Sequence, residues 1–498
     1  MKALVPLALL LLAAVAGAEG ADAARPLQRV PSVVHVHSTL STGDRSLDEL
    51  ARMARAEGIE ALLMAENYLL RVEYGLAPFR ALTRVVHDEP SILTRGPEAY
   101  LASVAEARRR YPEVLFLPGV EVIPHHYWTG SPVALSMMLH NTQKNLLVFG
   151  VTDPAALRAL PASGNLHARR YAWASVADAL PALLVVPGVV LLLVRRVRRV
   201  RVGRAIMIQR RRHWLAGGVL VLVGIVALVR AWPFTVDAYP PWQDYRLAPH
   251  QALIDHVDGL GGATMWSLPE ASDEGRRSLV GVTVTWRTDP YPEDLMRTFR
   301  YTAFGAIYAQ PTRFEEPGGR WDRLLVEFAR GERSRPAWGL GEAGFHGPQG
   351  GKRLSAIQTV FLVANKTEAA LLDALKRGRL YALQRLPEGT LALADWSVAA
   401  GEASVVSGET LRVPAGTVLD VRVAVDAIGE TVEPFRVTLV RNGIVTEGWS
   451  GGPSIRATYR ETFDGRPLVF RIEARGRAPH RILTSPIFVA APTPGNSP

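Results

Sequence analysis

The chain has 498 residues, 48% of them apolar, a length that predicts about two to four domains with ample material for packed cores. It contains no cysteine, which excludes disulfides and thiolate metal ligands, so any metal site must use His, Asp or Glu and favours Zn, Mn or Fe. The formal charge of +10 falls to about +1 without the nine arginines of residues 195–213, so we expect no nucleic-acid surface.

The N-terminus has the pattern of a secretory signal peptide over residues 1–18. Lys2 precedes an apolar run that begins at Ala3, and small residues at positions 16–18 resemble a cleavage site. The alternative is an uncleaved anchor, although the apolar run is short for a membrane span. In both cases the rest of the chain is expected to begin outside the cytoplasm.

A pair of histidines, His35 and His37, ends the next apolar run, within Val-Val-His-Val-His-Ser-Thr at residues 33–39. Residues two apart on a strand point to the same face, so the two imidazoles can converge on one metal ion. The alternative is a pair of strand histidines that face solvent. The pattern after them favours the metal site, because it predicts a strand, a helix and a second strand.

The predicted helix over residues 47–58 has a capping box formed by Ser46 and Glu49 and is closed by Gly58. The second strand, residues 59–67, ends in Glu66 and Asn67. Repetition of such units predicts a parallel sheet, whose functional site lies at the C-terminal ends of its strands.

The first segment continues with a predicted helix over residues 97–110 and strands over residues 114–117, 119–123 and 146–150. Glu121 is flanked by valines, where a carboxylate is costly unless it is paired or binds a metal. His140 is either a loop histidine without a function or a ligand. His125 and His126 are interpreted as an exposed strand end, with replacement of a missing imidazole ligand as the alternative.

Two apolar runs, residues 179–194 and 214–229, each approach the length of a membrane span, and tryptophans flank the second. The alternative is a pair of buried helices. The loop between them, residues 195–213, has nine arginines and no acidic residue, which predicts a cytoplasmic loop within a transmembrane hairpin over residues 179–232. Arginines beside a membrane also attract anionic lipid.

Beyond the hairpin, helices and strands alternate again up to a helix capped by Thr367 and stopped by Gly378. From residue 391 the pattern changes to short alternating runs separated by Gly, Asp and Pro. This change predicts a small all-β sandwich domain over residues 391–490 and a disordered tail over residues 491–498.

The order His-x-His-Ser-Thr, helix, and strand ending in polar residues resembles the PHP (polymerase and histidinol phosphatase) superfamily of metal-dependent phosphoesterases. The resemblance covers roughly residues 30–385. It implies an α/β fold, a PHP-type distorted TIM-like barrel built from residues 30–178 and 240–390, with the two-helix transmembrane insertion between them. It also implies divalent transition-metal ligands at His35, His37, Glu66, Glu121, His140 and His346.

Several positions depart from the family pattern. Thr42 replaces the expected Asp, Asn67 replaces the last residue of Thr-Asp-His, and Leu268 replaces the imidazole of Ala-His-Pro. Gly344 replaces the carboxylate of Asp-x-His, and the nearest carboxylate is Glu342. We therefore expect fewer metal ions than the family binds, and the sequence assigns no catalytic residue.

Three hypotheses follow: an extracytoplasmic phosphoesterase with a depleted metal site, a silent PHP fold that binds an anionic ligand, and a membrane scaffold. The expected partners are membrane lipid, a phosphorylated small molecule or anionic polymer, and a protein bound by the C-terminal domain. The expected location is the membrane, with most of the chain periplasmic or at the cell surface.

Overall fold

The computed structural model describes residues 27–77, 79–279, 282–429 and 432–492. The predicted signal peptide and nearly all of the predicted tail lie outside these residues. The α-helices span Leu47–Ala56, Arg80–Thr83, Ile92–Arg95, Pro97–Arg110, Pro154–Arg158, Trp173–Ala179, Val185–Leu193, Trp214–Ala231, Ala248–Gly259, Pro292–Arg297, Arg320–Ala329 and Glu368–Arg377.

The first helix begins as predicted, because the Ser46 side chain accepts from the backbone of Glu49 while the Glu49 carboxylate accepts from the backbone of Ser46. Gly58 and Gly378, the residues predicted to close helices, both have φ of +71°. This left-handed conformation is the usual end of a helix.

One long sheet runs through most of the molecule. Gln28–Val36 lies between a parallel neighbour, Ala61–Met64, and an antiparallel neighbour, Ile357–Val363. The strands follow in the order Thr410–Arg412, Ile487–Ala490, Leu468–Arg475, Arg481–Thr484, Leu380–Gln384, Ile357–Val363, Gln28–Val36, Ala61–Met64 and Leu115–Leu117. Phe435–Arg441 also pairs with Leu468–Arg475, and Ile444–Gly451 pairs with Phe435–Arg441.

A second sheet faces the first across a common core. Its strands follow in the order Trp338–Gly341, Ala303–Ile307, Ala263–Trp266, Leu146–Phe149, Gly119–Val122 and Glu66–Asn67. The chain passes from the first sheet to the second between Met64 and Glu66 and again between Leu117 and Gly119. Residues before and after the apolar hairpin share this core. The fold is mixed α/β as expected, but the strands belong to two separate sheets, so a closed TIM-like barrel is not confirmed.

Four further strands, Tyr127–Ser131, Ser136–His140, Asp273–Leu279 and Val282–Thr288, form a separate sheet. Two pairs of strands complete this part of the fold: Leu70–Tyr74 with Val85–Glu89, and Arg170–Tyr171 with Thr235–Val236.

The C-terminal strands form a second core against the long sheet. A four-stranded sheet, made of Ala403–Val406, Thr390–Ala400, Val418–Ile428 and Ser454–Thr462, covers this core. Strand Ile357–Val363 serves both cores, because Phe361 belongs to the first and Val360 to the second. The long sheet therefore continues across residue 391, where the sequence predicts a domain boundary.

Among the described residues, two helical segments are long and apolar enough to cross a membrane, Ser175–Leu193 (19 residues) and Trp214–Ala231 (18 residues). They pack against each other through glycines: a Cβ on Gly217 would lie 2.8 Å from the carbonyl oxygen of Gly188. Large apolar side chains such as Leu193 and Leu222 point outward and are exposed. Between the helices, the arginine-rich loop forms a β-hairpin of Arg196–Val202 and Ala205–Arg211, which the sequence did not predict.

Candidate metal centre

His35 and His37 lie where strand Gln28–Val36 ends, and the pairing with the neighbouring strand shifts between Val34 and Val36. His35 has φ of +70°, so the alternation of a regular strand does not by itself account for the shared direction of the two rings. Their Nε2 atoms nevertheless lie 2.9 Å apart, and both residues are buried. The irregular backbone brings two imidazole nitrogens to one point.

Glu121, on strand Gly119–Val122, provides the third converging group. Its Oε1 lies 3.3 Å from His35 Nε2 and its Oε2 lies 3.6 Å from His37 Nε2. Ligand atoms of the three residues lie within 4.8 Å of one another. The side chains of Asn67 and Asn145 donate to the two carboxylate oxygens at 2.8 and 2.6 Å and fix the orientation of the carboxylate.

A second carboxylate, Glu342, lies behind His35 and is fully buried. Its Oε1 accepts from His35 Nδ1 at 2.6 Å and from Ser267 Oγ at 2.6 Å. Its Oε2 accepts from the backbone N–H of Leu268 at 2.9 Å. A carboxylate that binds the far nitrogen of a histidine fixes its tautomer and leaves Nε2 directed at a metal.

No role was predicted from the sequence for Glu342, Ser267 or Asn145. Glu342 directly follows strand Trp338–Gly341. Functional side chains often follow the C-terminal ends of parallel strands, and this rule could have identified Glu342.

The two carboxylates determine the charge on His35. Burial lowers the pKa of His35, but Glu121 and Glu342 outweigh it and raise this pKa to about 10. Burial raises the pKa of Glu121, but His35, His37 and Asn145 bring it down to about 2. For His37 burial dominates and holds its pKa well below the usual value. The centre therefore contains one imidazolium between two carboxylates, with one neutral imidazole beside it.

Glu66 is buried, and its carboxylate accepts hydrogen bonds from serine hydroxyl groups. Its Oε1 accepts from the backbone N–H and the hydroxyl of Ser38 at 2.9 and 2.5 Å, and its Oε2 accepts from Ser41 at 2.5 Å. Burial raises the pKa of Glu66 to about 7, although these hydrogen bonds oppose the shift. Glu66 lies outside the three-residue cluster, and its role as a ligand stays a prediction.

The remaining predicted ligands, His346 and His140, lie in different surroundings. The ring of His346 stacks on His37 with 4.0 Å between centroids, and its Nδ1 lies 3.0 Å from Thr42 Oγ1. His140 lies on the separate four-stranded sheet, where its Nε2 is 2.9 Å from Thr129 Oγ1 and its ring stacks on Tyr127. Neither belongs to the cluster of converging ligand atoms, and their roles as ligands stay predictions.

The interpretation of His125 and His126 as an exposed strand end is wrong, because both are buried. His125 Nδ1 lies 3.0 Å from Ser163 Oγ, and its Nε2 donates to the backbone carbonyl of Gln243 at 2.9 Å. His125 is therefore held by the segment that follows the apolar hairpin.

The donor set of His35, His37 and Glu121 fits a divalent transition metal. Two imidazole nitrogens and one carboxylate are common ligands of Zn, Mn and Fe. Each histidine keeps Nε2 directed at the centre, since Nδ1 of His35 is bonded to Glu342 and Nδ1 of His37 lies 3.4 Å from Ser41 Oγ.

Neither a protein-family model nor a curated protein sequence matches this chain. PHP-like metal-dependent phosphoesterases are among the solved structures similar to it. One is a two-domain protein from Bacteroides vulgatus containing a predicted PHP-like metal-dependent phosphoesterase, with 11% identity, coverage of 89% of this chain and 90% of that chain, and a TM-score of 0.35.

A candidate metal-dependent phosphoesterase from Bifidobacterium adolescentis is 14% identical, with coverage of 64% and 87% and a TM-score of 0.28. An amidohydrolase from Chromobacterium violaceum, with bound sulfate and no metal, is 12% identical, with coverage of 65% and 89% and a TM-score of 0.27. All three TM-scores are below 0.5.

Proposed function

We propose that this protein is a membrane-anchored, extracytoplasmic, metal-dependent phosphoesterase with a depleted set of metal ligands. The observation that carries the proposal is the convergence of His35, His37 and Glu121. Three buried ligand atoms lie within 4.8 Å of one another. Two imidazole nitrogens and a carboxylate oxygen that converge at one point form a set of donors that divalent transition metals bind.

In this proposal His35, His37 and Glu121 hold the metal, and Glu342 orients His35. A bound divalent ion would activate water and stabilise negative charge on a phosphate ester. Asn67 and Asn145 keep both oxygens of Glu121 directed toward the histidines. His346 is exposed beside His37, so it is the side chain that we expect nearest to an entering phosphate.

The hairpin supports the membrane anchor. Its helices place small residues such as Gly188 and Gly217 inside and large apolar side chains outside, which is the arrangement that lipid favours and water does not. From Trp214 to Trp232 the second helix rises about 27 Å, close to the thickness of a bilayer core.

The nine arginines of residues 195–213 then favour the cytoplasmic side for the β-hairpin. This orientation would place the metal centre and the C-terminal strands outside the cytoplasm. The exposed faces of the C-terminal strands remain available for a protein partner.

A second candidate function, a silent fold that binds an anionic ligand, is favoured by the substituted positions. Ser267 and Leu268 provide a hydroxyl and a backbone N–H to Glu342. Gly344 provides no side-chain ligand at all. Losing ligands frees metal positions, and one ion cannot hold both the attacking and the leaving oxygen of a phosphate ester.

Metal analysis of the full chain, purified in detergent, separates the two functions. We expect about one transition-metal ion per wild-type chain and at least a tenfold lower content in His37→Ala, because one of three ligands is lost. His87→Ala is the matched control, since His87 is a solvent-exposed histidine outside the cluster.

Hydrolysis of bis(p-nitrophenyl) phosphate by the same samples should be slow, require the metal and disappear in His37→Ala. A wild-type protein without metal or hydrolysis would contradict the enzyme proposal and favour the silent fold. Three tightly bound ions would show that the substituted positions are wrongly assigned.

A further inference from the structure

A second polar site lies far from the sequence motifs, where the apolar hairpin meets the first segment of the chain. It is an open pocket lined by charged and aromatic side chains. The start of the first apolar helix lines it through Asp178, and the end of the second lines it through Arg230 and Trp232. Arg80 and Arg84, from the helix Arg80–Thr83 and the residue after it, close another side.

The cavity lining has four arginines and three carboxylates, Glu73, Asp178 and Asp237, which leaves a formal excess of one positive charge. One of its arginines, Arg169, is neutralised by Asp237 at 2.8 Å and Glu73 at 3.5 Å. Within the described part of the chain, no carboxylate oxygen lies within 4.0 Å of the guanidinium nitrogens of the other three arginines, which are Arg80, Arg84 and Arg230.

The guanidinium groups of Arg80 and Arg230 donate hydrogen bonds to backbone carbonyls, while Asp178 attracts Arg80 and Arg84 from a longer distance. Arg80 donates to the carbonyl of Gly75 at 2.9 Å and lies over the ring of Trp242 at 4.8 Å. Arg230 donates to the carbonyls of Leu82 and Arg84 at 3.1 and 2.7 Å. In these contacts Arg84 takes part only through its backbone carbonyl. Guanidinium groups arranged in this way are suited to the oxygens of a phosphate.

The surroundings place the cavity at the level of lipid head groups. Trp173 is 89% exposed and Trp232 is 71% exposed, and both lie at this end of the hairpin. Leu76, Phe79 and Val85, beside Arg80 and Arg84, also have exposed apolar side chains. Exposed aromatic and aliphatic side chains around a charged cavity are typical of the membrane–water interface.

We propose that this cavity binds the phosphodiester of a phospholipid head group from the leaflet on the side of the metal centre. The inference rests on the proposed membrane anchoring of the hairpin. Arg84 and Arg230 bind the phosphate oxygens, while the acyl chains lie along the exposed apolar side chains of the two helices. A lipid bound there holds the hairpin and residues 79–86 together and fixes the metal centre at one height above the membrane.

Native mass spectrometry of the full chain in detergent, titrated with dioleoylphosphatidylethanolamine, tests the proposal. We expect one lipid to bind the wild type with an affinity at least about tenfold higher than the affinity of Arg84→Glu, because reversal of one charge opposes the phosphate. Arg422→Gln is the control, since Arg422 is exposed on a C-terminal strand. Melting temperatures of the variants report whether they fold.

Equal lipid binding by wild type and Arg84→Glu would overturn the inference. Soluble glycerophosphoethanolamine or inorganic phosphate that binds as tightly as the lipid would also overturn it, by showing a site for free phosphate. Purification of the full chain without detergent would instead contradict the membrane anchor. If the protein requires detergent but the wild type and Arg84→Glu bind the lipid equally, only the lipid site is contradicted and the membrane anchor is not.

Discussion

His35 combines an unfavourable backbone conformation with the most connected side chain of the metal centre. A non-glycine residue at φ of +70° costs on the order of 1–3 kcal/mol. Two backbone hydrogen bonds hold it there: Phe345 N–H donates to the His35 carbonyl, and His37 N–H donates to the Phe345 carbonyl, both at 2.9 Å. The surrounding structure thus enforces a local geometry that the sequence of the strand alone disfavours, a pattern associated with functional sites.

The raised pKa of His35 predicts proton release when metal binds. In the metal-free protein His35 keeps its second proton up to pH about 10, and a metal ligand must give it up. At pH 8 we expect release of about one proton per metal bound. Calorimetric titration of metal-free protein in two buffers of different ionisation enthalpy measures this number. Heats that do not depend on the buffer would contradict the prediction.

The same groups predict how the metal-free protein depends on pH. The raised pKa of His35 stabilises the fold below pH about 6.5, and this contribution is lost as the pH rises toward about 10. The lowered pKa of Glu121 stabilises the fold above pH about 4.5, and this contribution is lost toward pH about 2. Both contributions are complete between pH about 4.5 and 6.5.

Glu342→Gln removes one of the charges that raise the pKa of His35 and should reduce the proton release on metal binding. The exposed Glu89 is the control, and Glu89→Gln should leave the proton release unchanged.

At the scale of elements, two glycines with the same backbone conformation differ in what surrounds them. Gly58 and Gly378 both have φ of +71°, but a Cβ on Gly58 would meet nothing within 4 Å. A Cβ on Gly378 would lie 2.4 Å from the ring of Trp338, which is buried. The first glycine is needed only for its conformation, and the second also for its lack of a side chain.

Gly378→Ala should therefore destabilise the protein more than Gly58→Ala. The left-handed conformation costs a non-glycine residue about 1–2 kcal/mol, and displacement of a packed ring adds about 1–3 kcal/mol. Melting temperatures of the two variants in the same detergent measure the difference. Equal decreases would show that Trp338 moves aside freely.

Several helices and strands could be predicted from sequence because their signals are local. The capping box at Ser46 and the glycine at position 378 each determine a helix end. The separation of the strands into two sheets could not be predicted, because it depends on which strands are hydrogen-bonded and not on their apolar pattern. Similarly, spacing indicated the convergence of His35 and His37, whereas Glu342 reaches His35 only through contacts between distant parts of the chain.

On the scale of the whole molecule, the C-terminal strands are fixed to the rest of the fold by buried charges. Arg471 Nε lies 2.6 Å from Asp322 Oδ1, and Arg481 lies 2.7 Å from Glu315. Asp322 lies on the helix Arg320–Ala329, and Arg471 lies on the strand Leu468–Arg475. This ion pair therefore connects the helix to a C-terminal strand. Removal of either partner would leave a buried charge without compensation, which is strongly unfavourable.

The orientation of the molecule in the membrane is a prediction that a single fusion checks. A reporter inserted at the turn near residue 205 should lie in the cytoplasm and be active only there, because nine arginines oppose the transfer of this loop across the bilayer. A reporter fused after residue 492 is the control and should be active only outside. The opposite result at residue 205 would place the metal centre in the cytoplasm.

The position of strand Gln28–Val36 between Ala61–Met64 and Ile357–Val363 has a consequence for synthesis. A ribosome releases the chain from its N-terminus, so this strand emerges long before its second neighbour. Ser267 and Glu342, which complete the surroundings of His35, also emerge after both apolar helices. The nascent chain therefore has to keep one edge of this strand unpaired while the hairpin is being synthesised, and it can bring His35, Ser267 and Glu342 together only after Glu342 has emerged.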